Sequence, residues 1–284
     1  MTAVGEHTGA GPGTGPPGRR PRRGRCRPWP RAAWARPGVW LPLPVMLAVL
    51  AALWQYGARR LPYLLPPLPA VGRSLTTHFG YYLSGAWVTL GEAAAGLATG
   101  FAAAFVLAVL TSELPLVRRA VMPIAVVLNV TPLVAIAPAL VVAFGFGPLP
   151  KLIITGLICF FPILINTATG LRSVPRPVLQ VYRTMDAGRI ELLWHLRVPH
   201  ALPYVFAALR IVFPLSLIGA VVAEMSAAGS TRGLGTAISV ASSMNQLPVV
   251  YASVLVLAVM GVLLLLAVTL VERRVLRRHD GAPD

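Results

Sequence analysis

The chain has 284 residues, of which 56% are hydrophobic and only 12% are charged. A water-soluble domain needs roughly a quarter charged residues, so the composition excludes an ordinary soluble enzyme and points to a bilayer as solvent. The net charge of +16 is not a nucleic-acid signature. Eight of the 25 basic residues crowd between Arg19 and Arg36 and four more between Arg273 and Arg278, flanking apolar segments rather than interleaving with aromatics.

In chain order, residues 1–37 are rich in Gly, Pro and Arg and are expected to form a disordered basic tail. The apolar stretch that follows ends in Tyr56-Gly57-Ala58-Arg59-Arg60, a poor cleavage site, so it reads as a retained helix. A helix needs about 20 apolar residues to cross the hydrocarbon. On that length rule, spans are expected near 39–56, 87–110, 121–144, 152–171, 204–227 and 248–271, within a transmembrane domain of residues 38–272. Residues 273–284 form a short basic tail. In the second span, Gly91, Ala95, Gly96 and Gly100 form a small-residue pattern that permits close helix contact. Cys26 and Cys159 read as two free thiols, with no metal-ligand spacing.

With the amino terminus inside, nineteen Lys and Arg residues fall on the cytoplasmic side and five, Arg59, Arg60, Arg73, Lys151 and Arg232, on the other. That bias places both termini in the cytoplasm and requires an even number of crossings. Pro123, Pro132, Pro138 and Pro162 interrupt the third and fourth spans. Such breaks read either as packing kinks or as part of a solute path. Asn129, Thr131 and Asn166 could line that path or satisfy kinked backbone, the second being favoured.

The longest cytoplasmic stretch, about 172–203, carries Val181, Met185, Ile190, Leu193, Trp194 and Leu196 near helical spacing among charged residues. An amphipathic segment there buries its stripe against headgroups or against a partner. Gln180-Val181-Tyr182-Arg183-Thr184-Met185-Asp186, nine residues, then Leu196-Arg197-Val198-Pro199 resembles the EAA loop of binding-protein-dependent ABC importer permeases. The family pattern is Glu-Ala-Ala, three residues, Gly, nine residues, Ile, one residue, Leu-Pro. The spacing is kept, but Asp186 stands in place of the glycine, Gln180-Val181-Tyr182 replaces Glu-Ala-Ala and Val198 replaces the leucine.

Further stretches resemble the nitrate/sulfonate/taurine permease subfamily: Pro132 to Pro138 followed by Phe144-Gly145-Phe146-Gly147, Phe160 to Asn166, Gly170 to Val174, Ala223-Glu224-Met225, Gly233-Leu234-Gly235, and Leu65 to Pro69. The resemblance covers about residues 60–271. It implies an all-α integral membrane protein with six transmembrane helices and a cytoplasmic coupling loop, the type I importer permease fold. It also implies a permease homodimer in the bacterial inner membrane, working with cytoplasmic ABC ATPase subunits and an extracytoplasmic solute-binding protein. Carried over by position, the ATPase-coupling residues are Gln180, Arg183, Thr184, Asp186, Ala187, Leu196, Val198 and Pro199. The solutes implied are sulfonates, taurine, nitrate or thiamine-precursor-like molecules.

Independently of any resemblance, the chain has one lysine, Lys151, set between Pro150 and Leu152. A P-loop needs Gly-Lys-Ser/Thr, so ATP hydrolysis is expected on another polypeptide, with no catalytic residue and no cofactor here. His195 and His200 read as interface or headgroup contacts rather than metal ligands. Glu224, in an apolar span, faces the bundle interior or lies hydrated near the outer end. Arg210 is about 21 Å away along the helix, so a partner for Glu224 is expected elsewhere. Glu92 reads as an exposed first-turn carboxylate of the second span. An ion-coupled secondary transporter would show several intramembrane carboxylates and repeated halves, and a non-transporting scaffold would not need pathway-like prolines; both are weaker readings.

Overall fold

The structure is a computed structural model that describes residues 42–227 and 233–279. The basic tail, Cys26, the start of the first expected span, Arg232 and residues 280–284 lie outside the described residues. The chain divides into residues 1–50 and 51–284, and the packing below is that of the second unit.

All regular secondary structure among the described residues is helical, without a strand. In order they form α1 (Pro42–Arg60), α2 (Leu68–Thr77), α3 (Phe79–Glu113), α4 (Pro115–Val130), a 3-10 turn (Leu133–Ile136), α5 (Ala137–Phe144) and α6 (Pro148–Leu171). These are followed by α7 (Arg176–Thr184), α8 (Arg189–Leu192), a π turn (Leu193–Arg197), α9 (Val198–Ser226), α10 (Leu234–Ser243) and α11 (Leu247–His279). Helices α3, α6 and α11 and the continuous helical run 189–226 are long and apolar enough to cross a membrane. The first expected span corresponds to α1, and the third is built in pieces.

That break falls where the chain carries Pro132 and Pro138. The backbone leaves the helix at Thr131, which is extended, and Pro138 opens α5 in its first turn. Proline without an N–H suits a first turn and disfavours helix in the residue before it. Pro123 and Pro162, by contrast, sit inside continuous helices; they do not interrupt their spans. At Pro162 the side-chain amide of Asn166 donates to the proline carbonyl at 2.8 Å, so Asn166 satisfies local backbone.

Several boundaries differ from the hydropathy reading. α3 begins at Phe79 rather than near 87 and runs 35 residues. Its first turns hold Tyr82, buried, whose hydroxyl bonds Ser74 of α2 at 2.7 Å; tertiary packing supplies what hydropathy does not. The fifth span begins at Val198, and α2 and α10 are short helices in stretches read as connections.

α6 lies between α3 and α9 and makes the two most extensive helix contacts with them. The main core joins Leu97, Ala104 and Ala108 of α3, Phe161, Ile163, Leu164 and Leu171 of α6, and Ala201 and Val212 of α9. Lipid tails are as apolar as leucine, so helices in a bilayer hold together by close packing rather than by burying apolar area. Glycine makes that possible here. A Cβ on Gly100 would lie 2.5 Å from the Gly156 carbonyl oxygen, and one on Gly96 would lie 2.5 Å from the Thr155 Cβ. On the other side of α6, a Cβ on Gly219 would meet the Thr155 Cα at 3.1 Å. Only part of the small-residue pattern is used: Gly91 meets nothing within 4 Å, and Ala95 is exposed.

Gly100→Ala is therefore expected to lower the unfolding midpoint in detergent, at a cost of about 1–3 kcal/mol for overpacking. Gly91→Ala, in open space within the same helix, is expected to be neutral or to stabilise by about 0.5–1 kcal/mol. A thermal unfolding series on the two variants and the parent chain checks the contrast.

Candidate functional site

The segment after α6 is built from two short helices and a turn. α7 ends with a Schellman-type closure, in which the Ala187 N–H donates to the Tyr182 carbonyl at 3.2 Å across Asp186, whose φ is +58°. That is the left-handed conformation a helix terminus usually gives to glycine. Asp186 thus stands at the family's glycine position in a left-handed conformation, one that glycine adopts freely, and not in a right-handed helical one. Aspartate tolerates this region better than most side chains because its short polar group can bond locally.

Gly188 then opens α8, and the backbone passes through the π turn into α9, the Val198 N–H donating to the Leu193 carbonyl. Pro199 follows directly; it has no N–H to donate, and such a loss accompanies π bulges and kinks. The segment has two sides. Leu192 is buried, and Leu193 and Val198 pack against the main core. Val181, Met185, Ile190 and Trp194 are exposed by 57%, 74%, 75% and 58%. Among the described residues, no helix packs extensively along α7. Of the expected coupling residues, Gln180, Thr184 and Asp186 are exposed, and Ala187, Leu196, Val198 and Pro199 are half-buried. Arg183 lies on α7. The Thr184 hydroxyl donates to the Val181 carbonyl at 2.7 Å.

Two ion pairs tie this end of the molecule together. Arg197 of the π turn pairs with Glu113 at the end of α3, and Arg210 of α9 pairs with Glu272 of α11. Arg210 thus has its own carboxylate, and Glu224 finds partners elsewhere.

Glu224 is fully buried rather than hydrated. Its carboxylate accepts from the Thr89 hydroxyl of α3 at 2.7 Å and from the Gly235 N–H at 2.6 Å, while the Leu234 N–H donates to the Thr89 oxygen at 2.9 Å. Leu234 and Gly235 open α10, so a carboxylate from α9 sits at that helix's amino terminus, where unsatisfied N–H groups favour negative charge. Glycine makes the approach possible: a Cβ on Gly233 would lie 2.1 Å from the Glu224 carboxyl carbon, and one on Gly235 would lie 2.5 Å from the Val221 carbonyl oxygen.

Glu92 is not an exposed first-turn residue. It lies inside α3 and pairs with Lys151 of α6 at 2.8 Å, the lysine side chain being 1% exposed and the glutamate 15%. The longer α3 is the reason, since starting eight residues earlier carries Glu92 into the bundle. Residue-by-residue reading missed Thr89 and this pair. The available signal was Thr89 and Glu92, three apart on one face of an apolar span.

The remaining expected path residues are not brought to Glu224. Asn129, Thr131, Pro132 and Pro138 are exposed along α4 and α5, and the Thr131 hydroxyl donates to the Val127 carbonyl at 3.0 Å. α5 reaches the α9 end through Ala137, which packs with Ile154 and Ala223.

Residues 96–277 match the family described as binding-protein-dependent transport system inner membrane component. The chain belongs to that family. A formylaminopyrimidine transport permease of Halalkalibacterium halodurans is 34% identical over 76% of this chain and 86% of its own length. A riboflavin transport system permease of Chloroflexus aurantiacus is 31% identical over 89% and 94%, and a taurine transport system permease of Escherichia coli is 32% identical over 58% and 59%. The protein is thus a membrane-embedded permease subunit of an ABC-type importer rather than an enzyme, and its family implies an ATPase and a solute-binding protein as partners.

Two outcomes follow for the permease. Asp186→Gly is expected to leave α7 unchanged or firmer, whereas Asp186→Val, β-branched at positive φ, is expected to cost about 1–2 kcal/mol locally; amide exchange at Ala187 reports both. Glu224→Ala strands the Thr89 hydroxyl and the Gly235 N–H, and a loss of about 2–5 kcal/mol in detergent stability is expected. Glu224→Gln, which keeps an acceptor, is expected to lose less than half of that in the same unfolding assay.

Proposed function

We propose that the permease works as a symmetric pair of copies in a bacterial cell membrane, both termini cytoplasmic, with segment 180–199 docked in a cleft of the ATPase. The observation that carries this reading is the exposed apolar set Val181, Met185, Ile190 and Trp194, held on a segment whose inner side is anchored in the core. Large apolar side chains exposed on a segment that also carries charged residues point to a contact surface. The basic asymmetry of nineteen against five supports the orientation.

A second copy covers the α4–α5 side. Val130, Val142 and Phe146 are exposed there by 79%, 87% and 71%, next to Asn129, Thr131, Pro132 and Pro138. In a pair these polar and proline residues, with Asn166, line the solute path, and Glu224 holds its outer end in shape. ATP-driven closure of the ATPase pair moves the docked segments, and the helices turn from inward-facing to outward-facing.

The cargo is a small organic solute delivered by a binding protein. Nitrogen heterocycles are favoured over sulfonates, taurine or nitrate, because the relatives named for formylaminopyrimidine and riboflavin share three quarters or more of this chain and the taurine relative little more than half.

Met185→Asp with Ile190→Asp is expected to abolish co-purification with the cognate ATPase and to reduce binding-protein-stimulated ATP turnover at least about tenfold. The unfolding midpoint should stay unchanged, since both side chains are exposed. Full complex formation and turnover by this variant would contradict the docking assignment. With the complex reconstituted in lipid vesicles, uptake of a labelled aminopyrimidine set against taurine separates the cargo classes.

A further inference from the structure

A second polar site lies at the end of α6 away from Lys151. A cavity of 310 Å³ opens there between the end of α3, the start of α4 and the end of α6, lined by Thr111, Arg118, Met122, Thr169, Arg172 and Ser173 among others. No acidic side chain lines it. Lys151, Arg197 and Arg210 each have a carboxylate partner. Arg118 and Arg172 have none among the described residues, although they face one cavity at the boundary where the apolar helices end.

The Glu113 carboxylate at the end of α3 is taken by Arg197. Arg172 has its pKa pulled below the usual guanidinium value, first by burial and then by the positive charges of Arg118 and Arg197; it stays protonated. The three hydroxyls already donate to helix carbonyls, Thr111 to Ala108, Thr169 to Ile165 and Ser173 to Gly170. The guanidiniums are therefore the donors left for a ligand. Two planar forks on one cavity suit a group with several oxygens and at least one negative charge, since each fork can bond two oxygens at once. A tetrahedral phosphate offers oxygens to both.

We infer that Arg118 and Arg172 form a binding site for a phosphate group, carried either by an anionic lipid headgroup or by a soluble phosphate. Basic pockets between transmembrane helices at the membrane boundary take such headgroups. Occupancy neutralises the Arg118–Arg172 repulsion and joins the α4 start to the α6 end, next to the Arg197–Glu113 pair. Both arginines lie outside residues 180–199, so the site does not depend on ATPase docking.

The test measures binding to the purified full chain in neutral detergent, with short-chain phosphatidylglycerol and inorganic phosphate titrated separately. Saturable binding is expected, weakened about tenfold or more in R118Q/R172Q, as loss of charge-assisted hydrogen bonds implies. R119Q/R176Q, which removes two exposed arginines outside the cavity, is expected to bind within about twofold of the parent chain on the same reasoning. Binding of phosphatidylglycerol alone identifies the lipid as source; binding of inorganic phosphate identifies a soluble ligand. Absence of saturable binding to either probe, or equal weakening in the two double variants, overturns the site. Should R118Q/R172Q not fold, R118K and R172K keep the charge and lose the fork; undiminished binding by both overturns it equally.

Discussion

The backbone-to-backbone approach of α3 and α6 is the contact on which the rest of the molecule depends. At Gly100 there is no room for a single methyl group, at Gly156 one would be tight, and Thr155 fills the space between Gly96 on one side and Gly219 on the other. In a bilayer this geometry is the cohesive force, because separating the helices exposes them to lipid at little hydrophobic cost but forfeits every short-range contact. Three helices locked in this way form a frame. α4 and α5 line one side of it, α11 packs on α9, and the segment after α6 hangs from it.

Charge is handled within that frame by pairing rather than by exposure. A carboxylate or ammonium in a span is costly unless it faces the interior and finds a partner. Glu92 finds Lys151, and Glu224 finds a hydroxyl and the amino terminus of α10. The second arrangement connects three elements far apart in sequence, since Thr89, Glu224 and Leu234–Gly235 come from α3, α9 and α10. It fixes the short helix α10 against the spans.

Much of this is legible in the sequence. The existence of the apolar spans seen as α3, α6, α9 and α11, the broken third crossing and the two-sided segment near 180–199 follow from apolar run length, proline placement and helical spacing. Three features are not, each for a physical reason. α3 starts early because Tyr82 is buried through its bond to Ser74, a tertiary effect that hydropathy cannot register. Glu92 and Lys151 are partners only because α3 and α6 touch, and separations of 59 residues leave no local trace. Asp186 stands where the family has glycine, and its positive φ, which glycine adopts at no steric cost, is set by the helix terminus and not by residue type.

The mechanical claim is that the helical run from Arg189 to Ser226, braced by Arg197–Glu113 and by the glycine contacts, moves with the frame as one body under the proposed docking. Pulsed electron spin resonance between labels at His200 and Trp87, both exposed, tests it in a complex whose Cys26 is replaced by serine. The distance within one permease should be the same with and without ATP, while the distance between His200 labels on two copies changes. A change within the single chain, with the inter-copy distance constant, would contradict rigid transmission.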